Sequence, residues 1–168
     1  MYTHFILQIN KMSPNLENFE EVKLKGEKFY KSLKDIHCPY FNDKVYFNSQ
    51  GLEHVKFKGR NKARLEKDQY MRFKLLYLVP EILRASRTLQ GIRETNHFER
   101  IRVHNRTDTI LKPVTYYEFI AVIKRNRLRV IVKQIEDGHK FFWSLVPFWQ
   151  MNMETMTRVL HDGTPEED

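Results

Sequence analysis

Leu16, Phe19, Val22, Phe29, Leu33 and Ile36 recur at roughly helical spacing after Ser13-Pro14, a plausible helix start followed by Glu17, Glu20 and Glu21. The pattern predicts helix to about Asp35, and Gly26 in its middle fits either one helix or two short ones. Residues 1–12 fit a short strand or a loose terminus equally well. His37-Cys38-Pro39 ends the helical stretch, because proline disfavours helix at the residue before it. Val45 to Phe57 then alternates like a strand, with turn residues over Asn48–Gly51 and a strand-like end. From Asn61 or Lys62, Leu65, Gln69, Arg72, Phe73 and Leu76 return to helical spacing. Pro80 suits the first turn of a further short helix, PEILRAS.

After Gly91 the period changes from helical to two. HFERIRVHN alternates, with Phe98, Arg100, Arg102 and His104 on one face. TYYEFIAVIK, LRVIVKQI and KFFWSLV follow, separated by the charged turn KRNR and the tight turn Glu136-Asp137-Gly138. This pattern predicts a meander of four antiparallel strands. Met153, Met156, Val159 and Leu160 suggest a C-terminal helix within Met151–Leu160. Helices first and strands afterwards indicate an α+β fold, with N-terminal helices packed on one face of a roughly four-stranded antiparallel sheet and a short C-terminal helix. The other sheet face would stay open, as a platform for RNA.

Charge adds a partner class to this picture. The 168 residues carry a formal charge of +8, and the last eight, HDGTPEED, hold four acids and no Lys or Arg, so the first 160 carry +12. Such an excess favours polyanions, with nucleic acid first and an anionic membrane surface second; solubility is the alternative explanation. The 12 Phe, 8 Tyr and 2 Trp supply enough large apolar surface for one compact domain with additions at its ends. A lone cysteine, Cys38, fits a reducing compartment. The apolar runs are too short for a signal-peptide core or a membrane span, so a soluble cytoplasmic protein is expected.

No cysteine pair, HxxxH pair, phosphate-binding glycine loop or GxSxG elbow occurs, so neither a metal site nor another cofactor is expected. A metal-free acid–base set remains. RNA is cut without metal when a base takes the 2′-hydroxyl proton, an acid protonates the 5′-oxygen and cations stabilise the phosphorane. His54 is the leading imidazole. If residues 53–58 are extended, Lys56 and Lys58 share its face. A strand histidine bonded to a neighbour, beside solvated lysines, accounts for the same residues. His104 with Arg100 and Arg102 forms a basic ladder that suits backbone phosphate or a solvated face. Trp143 and Trp149 suit base stacking or core packing. By alternation Ser144 faces away from Trp143, on the open side if Trp143 is core.

VYFNSQGLEHVKFKGRNK, the helical pair ending in LVPEIL and the sheet ending in KFFWSLVP together resemble the barnase–EndoU–colicin–RelE-like ribonuclease superfamily, in particular its phage- and mobile-element-associated branch. The resemblance covers roughly residues 44 to 148, leaving 1–43 as an N-terminal helical extension and 149–168 as a C-terminal helix and acidic tail. It implies a metal-independent endoribonuclease, often a toxin, with an acidic immunity or regulatory protein as a further partner. It also implies His54, Arg60 and Ser144 as catalytic residues, with Lys56 or Lys58 nearby as substrate contacts and Arg72 and Tyr117 as lesser candidates; Arg102 of the basic ladder joins them as a phosphate contact. Two other readings stand beside it: a non-catalytic nucleic-acid-binding protein of the same fold, and a mobile-element interaction protein with an acidic partner.

Overall fold

The computed structural model describes residues 18–59, 62–147, 151–152, 157–158 and 165–166. The architecture is α+β with a six-stranded mixed sheet. Helix α1 (Phe19–Ser32) is continuous through Gly26. A β-carbon at Gly26 would lie 2.5 Å from Phe73 Cδ1, so the glycine marks a close helix–helix approach and not a break. The chain then forms β1 (Asp35–Cys38) and β2 (Asp43–Tyr46), an antiparallel pair. The division expected at 43/44 falls inside β2.

The strand–turn–strand expected over Val45–Phe57 does not form. Only β2 is extended, and Ser49–Lys56 is helix α2. Asn48 is the cause: its side chain accepts a hydrogen bond from Gly51 N at 3.1 Å and caps the new helix. Tyr30 Oη donates to Asn48 O at 2.8 Å and ties that cap to α1. Gly51 sits where any β-carbon would run into the Phe142 carbonyl and the Tyr30 hydroxyl. Gly51→Ala should therefore lower the unfolding free energy by about 1–3 kcal/mol, the usual cost of overpacking, as measured by urea denaturation.

Helix α3 (Glu66–Leu75) passes through a 3₁₀ turn, Leu76–Leu78, into α4 (Val79–Ala85), with Pro80 in its first turn as expected. The four-strand meander is present as β3 (Gly91–Val103), β4 (Arg106–Ile123), β5 (Asn126–Ile135) and β6 (Phe141–Pro147). Lys124 and Arg125, both at positive φ, close the β4–β5 hairpin. The sheet order is β1-β2-β6-β5-β4-β3, so the sheet has six strands rather than four. It is mixed because β2 meets β6 in parallel, at Tyr46 and Phe141. Beyond that point α2 and α3 pack on β6.

The expected C-terminal helix is not seen where the region is described. Met151–Asn152 (β7) and Thr157–Arg158 (β8) pair as two short antiparallel strands, and the rest of 148–164 lies outside the described residues, as do residues 1–17.

The helices cover one face of the sheet. Leu52, Val55, Phe73, Leu76, Leu78, Val79, Ile82 and Leu83 pack there on Phe119, Leu128, Val130, Val132, Phe142 and Leu145. The other face carries a smaller cluster, Val114, Tyr116, Ile131 and Val146, flanked by Ile135 and Trp143. β5 stops pairing with β4 at Ile135 opposite Val114, whereas β3 and β4 continue as a hairpin to Val103 and Arg106. The far half of that hairpin is a two-stranded arm. Among the described residues, no helix is long and apolar enough to cross a membrane.

Candidate functional site: a cleft beneath the β-arm

The arm, the second sheet face and α2 enclose a cleft of about 960 Å³. Its walls include His54 from α2, His97 and Glu99 from the arm, Tyr116, Lys133 and Trp143 from the sheet, and Glu166 from the C-terminal segment. Lys133 Nζ meets Glu99 Oε1 at 2.6 Å, which links the arm to the sheet floor. The same ammonium lies 4.3 Å from the Trp143 ring centroid, a cation–π contact. Burial, with the nearby Glu166 and Glu99 charges, pushes the Tyr116 hydroxyl well above its ordinary value, so it stays protonated at neutral pH.

His54 is only 5% exposed and stacks on Trp143, with centroids 4.0 Å apart and planes 20° off parallel. Arg64 Nη2 lies 3.1 Å from His54 Nε2, and Arg64 Nε donates to His54 O at 2.9 Å. Arginine has only donors, so Nε2 accepts, and the ring proton of the neutral imidazole sits on Nδ1. His54 therefore presents an N–H as its second ring group.

Because residues 53–56 are helical, Lys56 does not share the face of His54 as an extended strand would require. Lys56 Nζ sits 2.9 Å from Glu53 Oε1 and 3.7 Å from Glu27 Oε1, so it is already paired with carboxylates. Lys58 is exposed in the loop after α2, with its N–H bonded to Lys62 O. Arg60 lies outside the described residues.

Ser144 does not reach the open side. It is fully buried, and Arg72 Nη1 donates to its Oγ at 2.7 Å and to Leu145 O at 2.7 Å. Simple alternation fails because Ile131 pairs with Ser144 and Val132 with Phe142, leaving Trp143 as an extra residue in a bulge. Trp143, not Ser144, lines the cleft. Arg72 is itself 3% exposed, with Nε on Asp68 Oδ1 at 2.8 Å, so it holds α3 against β6 instead of meeting solvent. A chain of contacts through Arg64, Asp68 and Arg72 runs from His54 to Ser144.

Tyr117 lies on the helix-covered side, against Phe41, with its hydroxyl donating to Gln134 Oε1 at 2.9 Å. Arg102 is exposed on the arm. There Phe98 faces Leu111, Arg100 faces Thr109 and Arg102 faces Thr107 across the hairpin, which gives one acid-free ribbon face. Phe98 and Leu111 are 67% and 53% exposed. His104 closes the arm at positive φ instead of extending the ladder.

A second groove, of about 1030 Å³ near the base of the arm, is lined by Glu94, Glu136 and Asp137, and its one cation, Lys112, is bonded to Glu136. No three His, Cys, Asp or Glu among the described residues are grouped to hold a metal ion. Comparison with protein-family models, curated proteins and solved structures finds no match to this chain.

Proposed function

We propose that the chain is a metal-independent endoribonuclease whose centre is the cleft beneath the β-arm. One observation carries this reading: two imidazoles, His54 and His97, line a single cleft with the Lys133 ammonium. The roles differ from those expected on the sequence. His97, half-buried on the arm, is the proton-transfer group that takes the 2′-hydroxyl proton. The 2′-oxygen then attacks phosphorus, the bond to the 5′-oxygen breaks, and that oxygen takes a proton from water. His54 Nδ1–H is the hydrogen-bond donor we assign to the phosphorane, and Lys133, held by Glu99 at 2.6 Å, adds its charge only where the phosphate displaces that carboxylate. The likeness of residues 44–148 to the barnase–EndoU–colicin–RelE-like superfamily supports the same chemistry. The basic excess also suits an acidic protein partner.

A second reading is favoured by one contact. Arg64 occupies His54 Nε2, so the cleft suits a non-catalytic RNA-binding groove equally well if His97 transfers no proton. Purified protein with RNA in EDTA separates the two. Products ending in 2′,3′-cyclic phosphate support cleavage. RNA binding without products supports the groove alone.

On either reading we assign Arg100 and Arg102, exposed on the ribbon face opposite His97 and Glu99, to RNA phosphates flanking the cleft. Replacing both with alanine should weaken binding to different RNA sequences alike. It should also reduce the slope of log affinity against log salt by about 1.4, given roughly 0.7 per phosphate contact on single strands. Titration at several salt concentrations checks this.

A further inference from the structure

We propose that Arg93 and the indole edge of Trp143 are the phosphate and base subsites for one nucleotide of single-stranded RNA, and that Pro165–Glu166 of the same chain hold both in the free protein. This rests on the RNA reading but not on cleavage. Trp143 Nε1–H donates to Pro165 O at 3.0 Å. The neighbouring Glu166 carboxylate lies 3.3 Å from Arg93 Nε. Pro165 is buried, and Glu166 is part of the cleft wall.

The two contacts have the chemistry of a nucleotide. An indole N–H that meets a peptide carbonyl can meet a base carbonyl in the same way. A guanidinium that holds a carboxylate holds a phosphate oxygen equally well. Trp143 offers its edge for this purpose, because His54 stacks on the ring and the Lys133 ammonium also lies over it. The tail also places a negative charge where incoming RNA carries one. Glu166 and RNA therefore compete for Arg93, and the acidic tail lowers RNA affinity through a defined contact rather than by general repulsion.

The test uses full-length protein and a labelled 2′-O-methyl RNA octamer, which lacks the nucleophile and so reports binding alone. Fluorescence anisotropy would compare wild type, Glu166→Ala, Arg93→Ala, the double variant and Glu20→Ala, an exposed control on α1. Because the Arg93–Glu166 pair is partly exposed, Glu166→Ala should tighten binding by about 2–5-fold, the equivalent of a surface ion pair. Arg93→Ala should weaken binding and lower the salt slope by about 0.7. With Arg93 absent, Glu166→Ala should tighten binding no more than Glu20→Ala does. Equal tightening by Glu166→Ala and Glu20→Ala in the wild-type background would overturn the proposal. So would equal tightening by Glu166→Ala with and without Arg93. The proposed binding pattern without RNA cleavage retires the nuclease reading alone. Cleavage with Glu166→Ala indistinguishable from Glu20→Ala retires the subsites alone.

Discussion

Arg72→Met should destabilise the fold by about 2–3 kcal/mol, because it takes a charged donor from the buried Ser144 hydroxyl and Leu145 carbonyl and one of two cations from the partly exposed Asp68. Arg72 is 3% exposed and makes bonds of 2.7–2.8 Å to Asp68, to the Ser144 hydroxyl and to the Leu145 carbonyl. Methionine fills similar volume without a donor, so Ser144 and Leu145 lose a charged partner in a place water does not reach. Asp68 would keep Arg64, at 3.4 Å, which limits the loss. Arg72→Lys retains the charge but not the fork, and should recover less than half of the stability. Urea midpoints at constant slope measure both variants. A loss below about 1 kcal/mol for Arg72→Met would show that this network does not hold α3 to β6.

The second large effect is on catalysis. His97→Ala should lower the rate of RNA cleavage by about 10²-fold or more, the contribution of a positioned general base. His97 is half-buried on the two-stranded arm and belongs to neither core cluster, so its loss should leave the thermal midpoint nearly unchanged. His54 differs. Removing its ring uncovers Trp143 and takes one acceptor from the buried Arg64 guanidinium, so His54→Ala should lower stability and activity together. Measuring the thermal midpoint beside the rate separates a proton-transfer role from a packing role.

These two histidines also show what was legible in the sequence. The meander was, because period-two runs separated by KRNR and Glu136-Asp137-Gly138 are local signals. The α3–α4 pair was, through its helical spacing and Pro80. Helix α2 was not: eight residues are too few to establish a period, and the cap at Asn48 was the one local sign. The place of β2 beside β6 rests on a non-local parallel pairing of Tyr46 with Phe141, which no local pattern encodes. Ser144 was misplaced because a bulge at Trp143 breaks the alternation on which its direction was inferred. Lys133 and Arg129 carry a sign of their own in the sequence. Each is a charge within the apolar run LRVIVKQI, and each proves buried against a carboxylate, Lys133 on Glu99 and Arg129 on Glu118.

The most direct test of the cleft as a metal-free cleavage centre is the rate of RNA cleavage in EDTA by wild type and by His97→Ala, at matched folded fraction. Cleavage by wild type to 2′,3′-cyclic phosphate ends, reduced about 100-fold or more in His97→Ala, is the predicted result. No cleavage by wild type, or equal rates for the two proteins, would contradict it.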